Sequence, residues 1–229
     1  MCAALNKFYS NDPSIYEIGV DEAGRGPMFG RVYSAAVILP KDDSFDHSKM
    51  KDSKKFHSHK KLLEAAKYIE ENALAWAVTY EDEKVIDDIN ILQATQQSMH
   101  KSIISCMGKS NMTLNGSNVF ILVDGNYFNQ ISWYDKTTNK LVFGKYTCIE
   151  GGDNKYTAIA AASILAKAYR DNYIQELCEE YPQLDSLYSI GSNKGYGAKK
   201  HLDGIAEHGI TQWHRKSFGI CKTAKENPL

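Results

Sequence analysis

No apolar run in this chain is long enough to span a bilayer. The first residues, Met1 to Lys7, lack the long apolar core of a secretion signal. These two absences predict an intracellular, cytoplasmic protein without a membrane partner. Cysteine is sparse: Cys2, Cys106, Cys148, Cys178 and Cys221 are scattered and odd in number, and no two form a C-x-x-C pair. That argues against a structural zinc site and predicts reduced thiols, several of them buried as small hydrophobes. An excess of charge of one sign is also lacking: 27 Lys and Arg against 28 Asp and Glu give a formal net charge of −1. No internal repeat, low-complexity segment or Pro/Ser-rich linker divides the 229 residues, which are enough for one large domain or one domain with a small appendage.

What is present is unevenly placed. Six lysines (49, 51, 54, 55, 60 and 61) crowd the stretch Lys49 to Lys61 against the single Asp52. A second basic stretch runs from Gly191 to Lys225. Basic clusters on a near-neutral chain mark candidate phosphate-binding faces, although one cluster alone is more often a solvated surface.

Periodicity divides the chain into alternating strands and helices. Residues 1–14 read as a short mobile tail. Tyr16 to Val20 and Val32 to Leu39 read as strands that can pair antiparallel around an intervening glycine loop. His59 to Asn72 has helical spacing, and Ala73 to Tyr80 is a strand rich in Val, Trp and Tyr. Asp82 to Met107 is a long helix with a break expected near Asp88-Ile89-Asn90. Asn118 to Val123 is a continuous apolar run, as in a strand buried on both faces. Ile131 to Tyr134 and Leu141 to Phe143 flank a polar stretch and predict a surface hairpin. Lys145 to Glu150 is another short strand. Tyr156 to Glu180 is an Ala-rich helix ended by Pro182. The predicted architecture is an α/β sandwich over 15–181 with a C-terminal helical cap over 182–229.

Carboxylates fall at the strand ends. Asp21 and Glu22 close the first strand, and Asp124 closes the run Asn118 to Val123, where open α/β sheets place their sites. Asp171 sits within the long Ala-rich helix, from which it can reach the same point. Four such groups repel one another unless cations neutralise them, so the inference is one or two divalent ions such as Mg²⁺ or Mn²⁺. Two ions suit in-line displacement at phosphorus. Adjacent strand residues normally face opposite ways, so Asp21 and Glu22 share a site only if the backbone bends. The following Ala23-Gly24-Arg25-Gly26 permits both a bend and close approach of a phosphate backbone. Asp153 is a candidate fifth carboxylate, but its Gly-Gly-Asp setting before a helix favours a capping role.

These blocks resemble type 2 ribonuclease H, the ribonuclease HII family. The matching pieces are Gly19-Val20-Asp21-Glu22-Ala23-Gly24-Arg25-Gly26-Pro27, Asp52-Ser53-Lys54-Lys55, Asn90-Ile91-Leu92-Gln93-Ala94-Thr95 and Val123-Asp124-Gly125-Asn126. They continue through Gly152-Asp153, Ile159 to Lys167, Arg170-Asp171, Lys194-Gly195-Tyr196-Gly197, His201 and His214-Arg215-x-Ser217-Phe218. The resemblance implies a ribonuclease H-like mixed central sheet flanked by helices. It implies hydrolysis of RNA in RNA–DNA hybrids, and nicking of duplex DNA on the 5′ side of embedded ribonucleotides to leave 3′-hydroxyl and 5′-phosphate ends. Asp21, Glu22, Asp124 and Asp171 are placed on its metal-binding positions. Gly24, Arg25, Gly26 and Tyr196 are placed on the positions that recognise the ribose 2′-hydroxyl, the group that distinguishes RNA from DNA. Lys54, Lys55, Lys155, Lys167 and Lys194 are expected to meet phosphates, which positions a duplex without reading its sequence. His201 and His214 are expected to make structural hydrogen bonds.

Some residues depart from the family pattern. Met28-Phe29-Gly30-Arg31 follows Pro27 and adds a cation expected near the site. Ala198 replaces a common threonine, Tyr156 stands where a small residue is usual, and the stretch around 127–146 is extended by the hairpin. Arg25 between two glycines favours type 2 over ribonuclease HIII. The compact length favours a monomer over a subunit that needs partner proteins. The presence of all four carboxylates favours an enzyme over a non-catalytic nucleic-acid-binding module.

Overall fold

Alternating small and branched side chains build a sheet that is covered on both faces. The computed structural model describes residues 4–51, 53, 56, 58–110, 112–135 and 138–229. Strand β1 (Tyr16–Ala23) pairs antiparallel with β2 (Val32–Ile38), in which every residue is buried. Along β2, Ala35 and Val37 face one layer of helices while Ala36 and Ile38 face the other. Helix α1 (His59–Asn72) lies on the first face, and β3 (Ala75–Glu81) continues the sheet antiparallel to β2. Helix α2 (Glu83–Lys109) covers the second face. Strand β4 (Val119–Asp124) runs parallel to β1. Strands β5 (Ser132–Asp135) and β6 (Lys140–Phe143) form a separate hairpin, and β7 (Lys145–Ile149) adds parallel to β4. The five-stranded order is β3-β2-β1-β4-β7, a mixed sheet.

Helix α3 (Thr157–Glu180) joins α1 on the first face. Its first half is buried almost all round, so it shows no single apolar stripe. Small residues let it lie directly on β1. A Cβ at Gly19 would stand 2.2 Å from the carbonyl carbon of Ala158, so only glycine fits there. The C-terminal half of α3 and the Met28-Phe29 turn receive α4 (Gln183–Tyr188), α5 (Ile190–Asn193) and α6 (Lys199–His208) around Ile174, Leu184, Tyr188 and Ile205. Each fully buried aliphatic side chain of this kind contributes about 1.5–3 kcal/mol.

The predicted bounds of α1 are those observed. The expected break in α2 falls at Asn90, with φ 68° and ψ 163°. Asn90 Oδ1 accepts from the N–H groups of Leu92 and Gln93, so it restarts the helix as an internal cap. Three expectations need correction. Strand β1 does not stop at Val20 but runs on through both carboxylates to Ala23. Residues 4–14 are docked rather than loose. Asn6 bridges to Tyr156, Tyr9 stacks on Phe120 at 5.5 Å, and the N–H groups of Tyr9 and Ser10 bond Glu17. The Arg31 guanidinium stacks on aromatic rings rather than pairing with the strand-end carboxylates, 4.1 Å from the Tyr80 ring centre and 4.4 Å from that of Tyr173.

Candidate active site

Strands β1 and β4 run side by side from the Tyr16–Val119 pair to the Val20–Val123 pair and then part. Beyond that point β1 stays with β2, with Asp21 opposite Ala35 and Glu22 opposite Ser34. Strand β4 stays with β7, with Asp124 opposite Ile149. The fork opens a cleft of about 310 Å³. Asp21, Glu22, Gly24, Arg25, Gly26, Asp124, Lys167, Asp171, Lys194 and Tyr196 line it. The strand register is unbroken through Asp21 and Glu22. Both carboxylates reach the cleft because it opens along the edge of β1 that β4 has left. The expected bend is therefore unnecessary.

Asp21 is 5% exposed. Burial, and then the charges of Glu22 and Asp124, push its carboxyl well above the usual carboxylate range. The Ser163 hydroxyl and the Glu22 N–H, at 2.7 Å, offset part of this by bonding the ionised form. Each of the other carboxylates is held by a donor. Arg25 stands 3.4 Å from Glu22, the Gly152 N–H donates to Asp124 at 2.6 Å, and Lys167 donates to Asp171 at 2.8 Å. Two like charges about 4 Å apart cost about 4 kcal/mol at an effective dielectric of about 20. A cation between them reverses that sign. The donors are all hard oxygens, which suits Mg²⁺ or Mn²⁺. Among the described residues no three such groups are already drawn into a closed metal-binding set.

The remaining predicted residues are placed unequally. Lys155 does not line the cleft: it is exposed on the turn before α3, and its carbonyl accepts from Asn6. Lys54 and Lys55 lie outside the described residues. Asp153 does not cap α3, whose cap position is Tyr156 and carries no side-chain cap bond. Asp153 instead sits in a short turn, Gly152–Asn154, 4% exposed and next to the glycine that grips Asp124. His201 and His214 make structural hydrogen bonds, as expected.

Several residues of the site were not foreseen. Ser163 and Ser53 line the cleft and bond each other at 2.9 Å. Arg170 is buried, donates to the Lys194 carbonyl at 2.9 Å, and lies against Gly24. Gly24 has φ +94°, and a Cβ there would stand 2.2 Å from Arg170 Nε. Arg215 lies beneath the glycine loop. Ser163 sits one helical turn before Lys167 and two before Asp171, a spacing that shows a shared helix face but not what that face meets.

A mixed sheet that forks between two acidic strand ends, with helices on both faces, defines the class as an α/β hydrolytic fold of the ribonuclease H kind. The family model described as Ribonuclease HII matches residues 18–221, and the chain belongs to that family of endoribonucleases. It is 43% identical over 213 residues to a ribonuclease HII of Bacteroides thetaiotaomicron, covering 93% of this chain and 94% of that protein. It is 39% identical to a ribonuclease HII of Nostoc sp., covering 91% and 83%. Among solved structures, ribonuclease H2 of Pyrococcus horikoshii superposes with a TM-score of 0.65 at 20% identity, over 91% of this chain and 96% of that one. A ribonuclease HIII determined with Mn²⁺ gives a TM-score of 0.61 at 16% identity, over 86% and 71%. These two likenesses concern the fold. No helix among the described residues is long and apolar enough to cross a membrane.

Proposed function

We propose that this chain is a monomeric, cytoplasmic endoribonuclease that hydrolyses RNA in RNA–DNA hybrids and nicks duplex DNA on the 5′ side of embedded ribonucleotides, leaving 3′-hydroxyl and 5′-phosphate ends. The observation that carries the reading is the buried Asp21 pressed against Glu22 and Asp124 at the strand fork. One or two Mg²⁺ or Mn²⁺ ions at these carboxylates would supply an activated water and neutralise charge at the scissile phosphate. Asp21, Glu22 and Asp124 would hold them. Lys167 and Lys194 line the same cleft and face the incoming phosphates, while Lys54, Lys55 and Lys155 would add phosphate contacts that hold the duplex. The Gly24-Arg25-Gly26 loop and the half-exposed Tyr196 ring flank the position where a ribose would sit.

Two carboxylates compete for a fourth donor position. Asp171 borders the cleft, but it lies eight residues beyond Ser163, about 12 Å along α3, and it already pairs with Lys167. Asp153 follows the glycine bonded to Asp124 and is buried. That adjacency favours Asp153, with Asp171 holding Lys167 in place. The decisive experiment uses duplex DNA with one ribonucleotide, with Mg²⁺, Mn²⁺ or EDTA. A 5′-side nick lost in EDTA supports the reading, and no nick with either metal overturns it. Mn²⁺ titration calorimetry on Asp153→Asn and Asp171→Asn then assigns the fourth donor. Weakening of about tenfold or more is expected for the first. The reverse order assigns it to Asp171.

A further inference from the structure

The two elements that flank the ribose position are supported from consecutive residues of the C-terminal region. Arg215 is fully buried. Its guanidinium donates to the carbonyls of Gly24 at 2.6 Å, Arg25 at 3.0 Å, Pro27 at 2.7 Å and Gly30 at 2.8 Å. Its own N–H donates to the Met28 carbonyl at 2.8 Å. In a trans peptide the carbonyl of one residue points opposite to the N–H of the next. Drawing the Gly24 and Arg25 carbonyls onto Arg215 therefore turns the N–H groups of Arg25 and Gly26 away from it. Lysine could not do this, because a point ammonium lacks the planar fork that reaches four acceptors.

His214 supports the other element. The Thr211 N–H donates to His214 Nδ1 at 3.0 Å, so that nitrogen is an acceptor and the proton sits on Nε2. His214 Nε2 lies 3.0 Å from His201 Nε2, which must then accept. The His201 proton is thereby fixed on Nδ1, 2.9 Å from the Tyr196 carbonyl. One set of tautomers satisfies the whole line from Thr211 to Tyr196. Burial holds both imidazoles below their usual pKa, which keeps them neutral as the line requires. At its end the Tyr196 ring lies against Gly26, where a Cβ would stand 3.3 Å from the ring. Phe29 and His214 also form an antiparallel bridge, which ties the two supports to one backbone frame.

We propose that His214 and Arg215 act as a positioning pair that sets the spacing between the Gly24-Arg25-Gly26 loop and Tyr196. The pair thereby determines selectivity for a lone ribonucleotide over a run of ribonucleotides. The proposal rests on the reading that loop and ring receive the ribose. Neither residue lines the cleft, so each acts through another group.

The test measures kcat/KM on duplex DNA with one ribonucleotide and on a uniform RNA–DNA hybrid, for His214→Ala, His214→Gln, Arg215→Lys, Tyr196→Ala and the His214→Ala/Tyr196→Ala double variant. Folding is checked by circular dichroism and thermal melting. His214→Ala and Arg215→Lys are expected to lower the single-ribonucleotide rate about tenfold or more beyond any loss on the hybrid, as misplacement of a substrate-positioning group does. His214→Gln, whose amide can still donate toward His201, restores most of the ratio. The double variant is no worse than the poorer single one, because both act on one element. If His214→Ala does not fold, His201→Asn makes the same comparison: its amide keeps within reach of the Tyr196 carbonyl but not of His214. Equal losses on both substrates, or additive effects with Tyr196→Ala, overturn the proposal. An unchanged ratio in Tyr196→Ala overturns the reading of the ring itself, and the proposal with it. A shifted ratio there with none in the folded His214 or His201 variant overturns the proposal alone.

Discussion

The two walls of the cleft are built on opposite electrostatic terms. At the strand fork, Asp21 is buried against Glu22 and Asp124, and its ionised form is disfavoured. Across the cleft, Arg215 collects two carbonyls of the glycine loop, Gly24 and Arg25, and two just beyond it, Pro27 and Gly30. The Tyr196 carbonyl is bonded by His201 and by the Ala198 N–H. One wall stores repulsion that a cation would relieve, and in the other the backbone carbonyls named above are already matched by buried donors. On the proposed function, the difference separates chemistry from recognition. On the proposed reading, the wall that would take up metal crowds its carboxylates together around a buried Asp21, and the wall that holds one shape is fixed in advance by buried donors.

The largest expected effect breaks the acidic wall. Asp124→Asn keeps an oxygen for the Gly152 N–H but removes one charge beside Asp21. Cleavage should fall more than about a hundredfold, while the metal-free chain gains about 1 kcal/mol of stability from lost repulsion. Single-turnover cleavage and urea denaturation in EDTA measure the two halves, and a destabilised metal-free variant would deny that this wall is strained. Gly24→Ala attacks the other wall. Its positive φ and the Arg170 contact predict a loss of about 1–3 kcal/mol, read as a lower urea midpoint. An unchanged midpoint would deny that the loop is rigidly seated.

The smallest effect is that of pH. His214 is pulled down to about 3 in the folded chain by burial first and then by the charge of His201. Between about pH 3 and about 6.5 the unfolded chain takes up a proton that the folded chain refuses. The stability this site contributes is therefore complete above about pH 6.5 and is lost as pH falls toward 3. By about pH 5.5 the loss should be about 1 kcal/mol. His214→Gln should flatten this part of the melting-temperature profile, and an unchanged slope would locate the acid sensitivity elsewhere.

The sheet and its helices were largely legible because burial repeats along the chain. Helix α1 carries one apolar face, and its predicted bounds hold. The break expected near Asp88-Ile89-Asn90 falls at Asn90. The strand-end carboxylates were also legible, because Asp21 and Asp124 each follow an apolar run. What could not be read depended on distance in sequence. Arg215 acts on carbonyls 185 to 191 residues earlier, and nothing near position 215 announces a glycine loop. Asp171 was legible as far as the cleft, which it lines with Ser163 and Lys167 as helical spacing predicts, but spacing along a helix does not say which carboxylate serves as the fourth donor. Asp153 looked like a cap because Gly-Gly-Asp precedes a helix, yet α3 starts four residues later.

Gly19 gives the sheet a consequence for the chemistry. With a single hydrogen as its side chain, it lets α3 settle on β1 at backbone contact two residues before Asp21. The same helix carries Ser163 against that carboxylate and Lys167 into the cleft. The missing methyl thus works as a spacer of zero thickness. It fixes how high the helix rides, and with it the height of every group α3 delivers to the acidic wall. The tolerance of the catalytic end is set in the interior of the sheet, by a residue that never meets substrate.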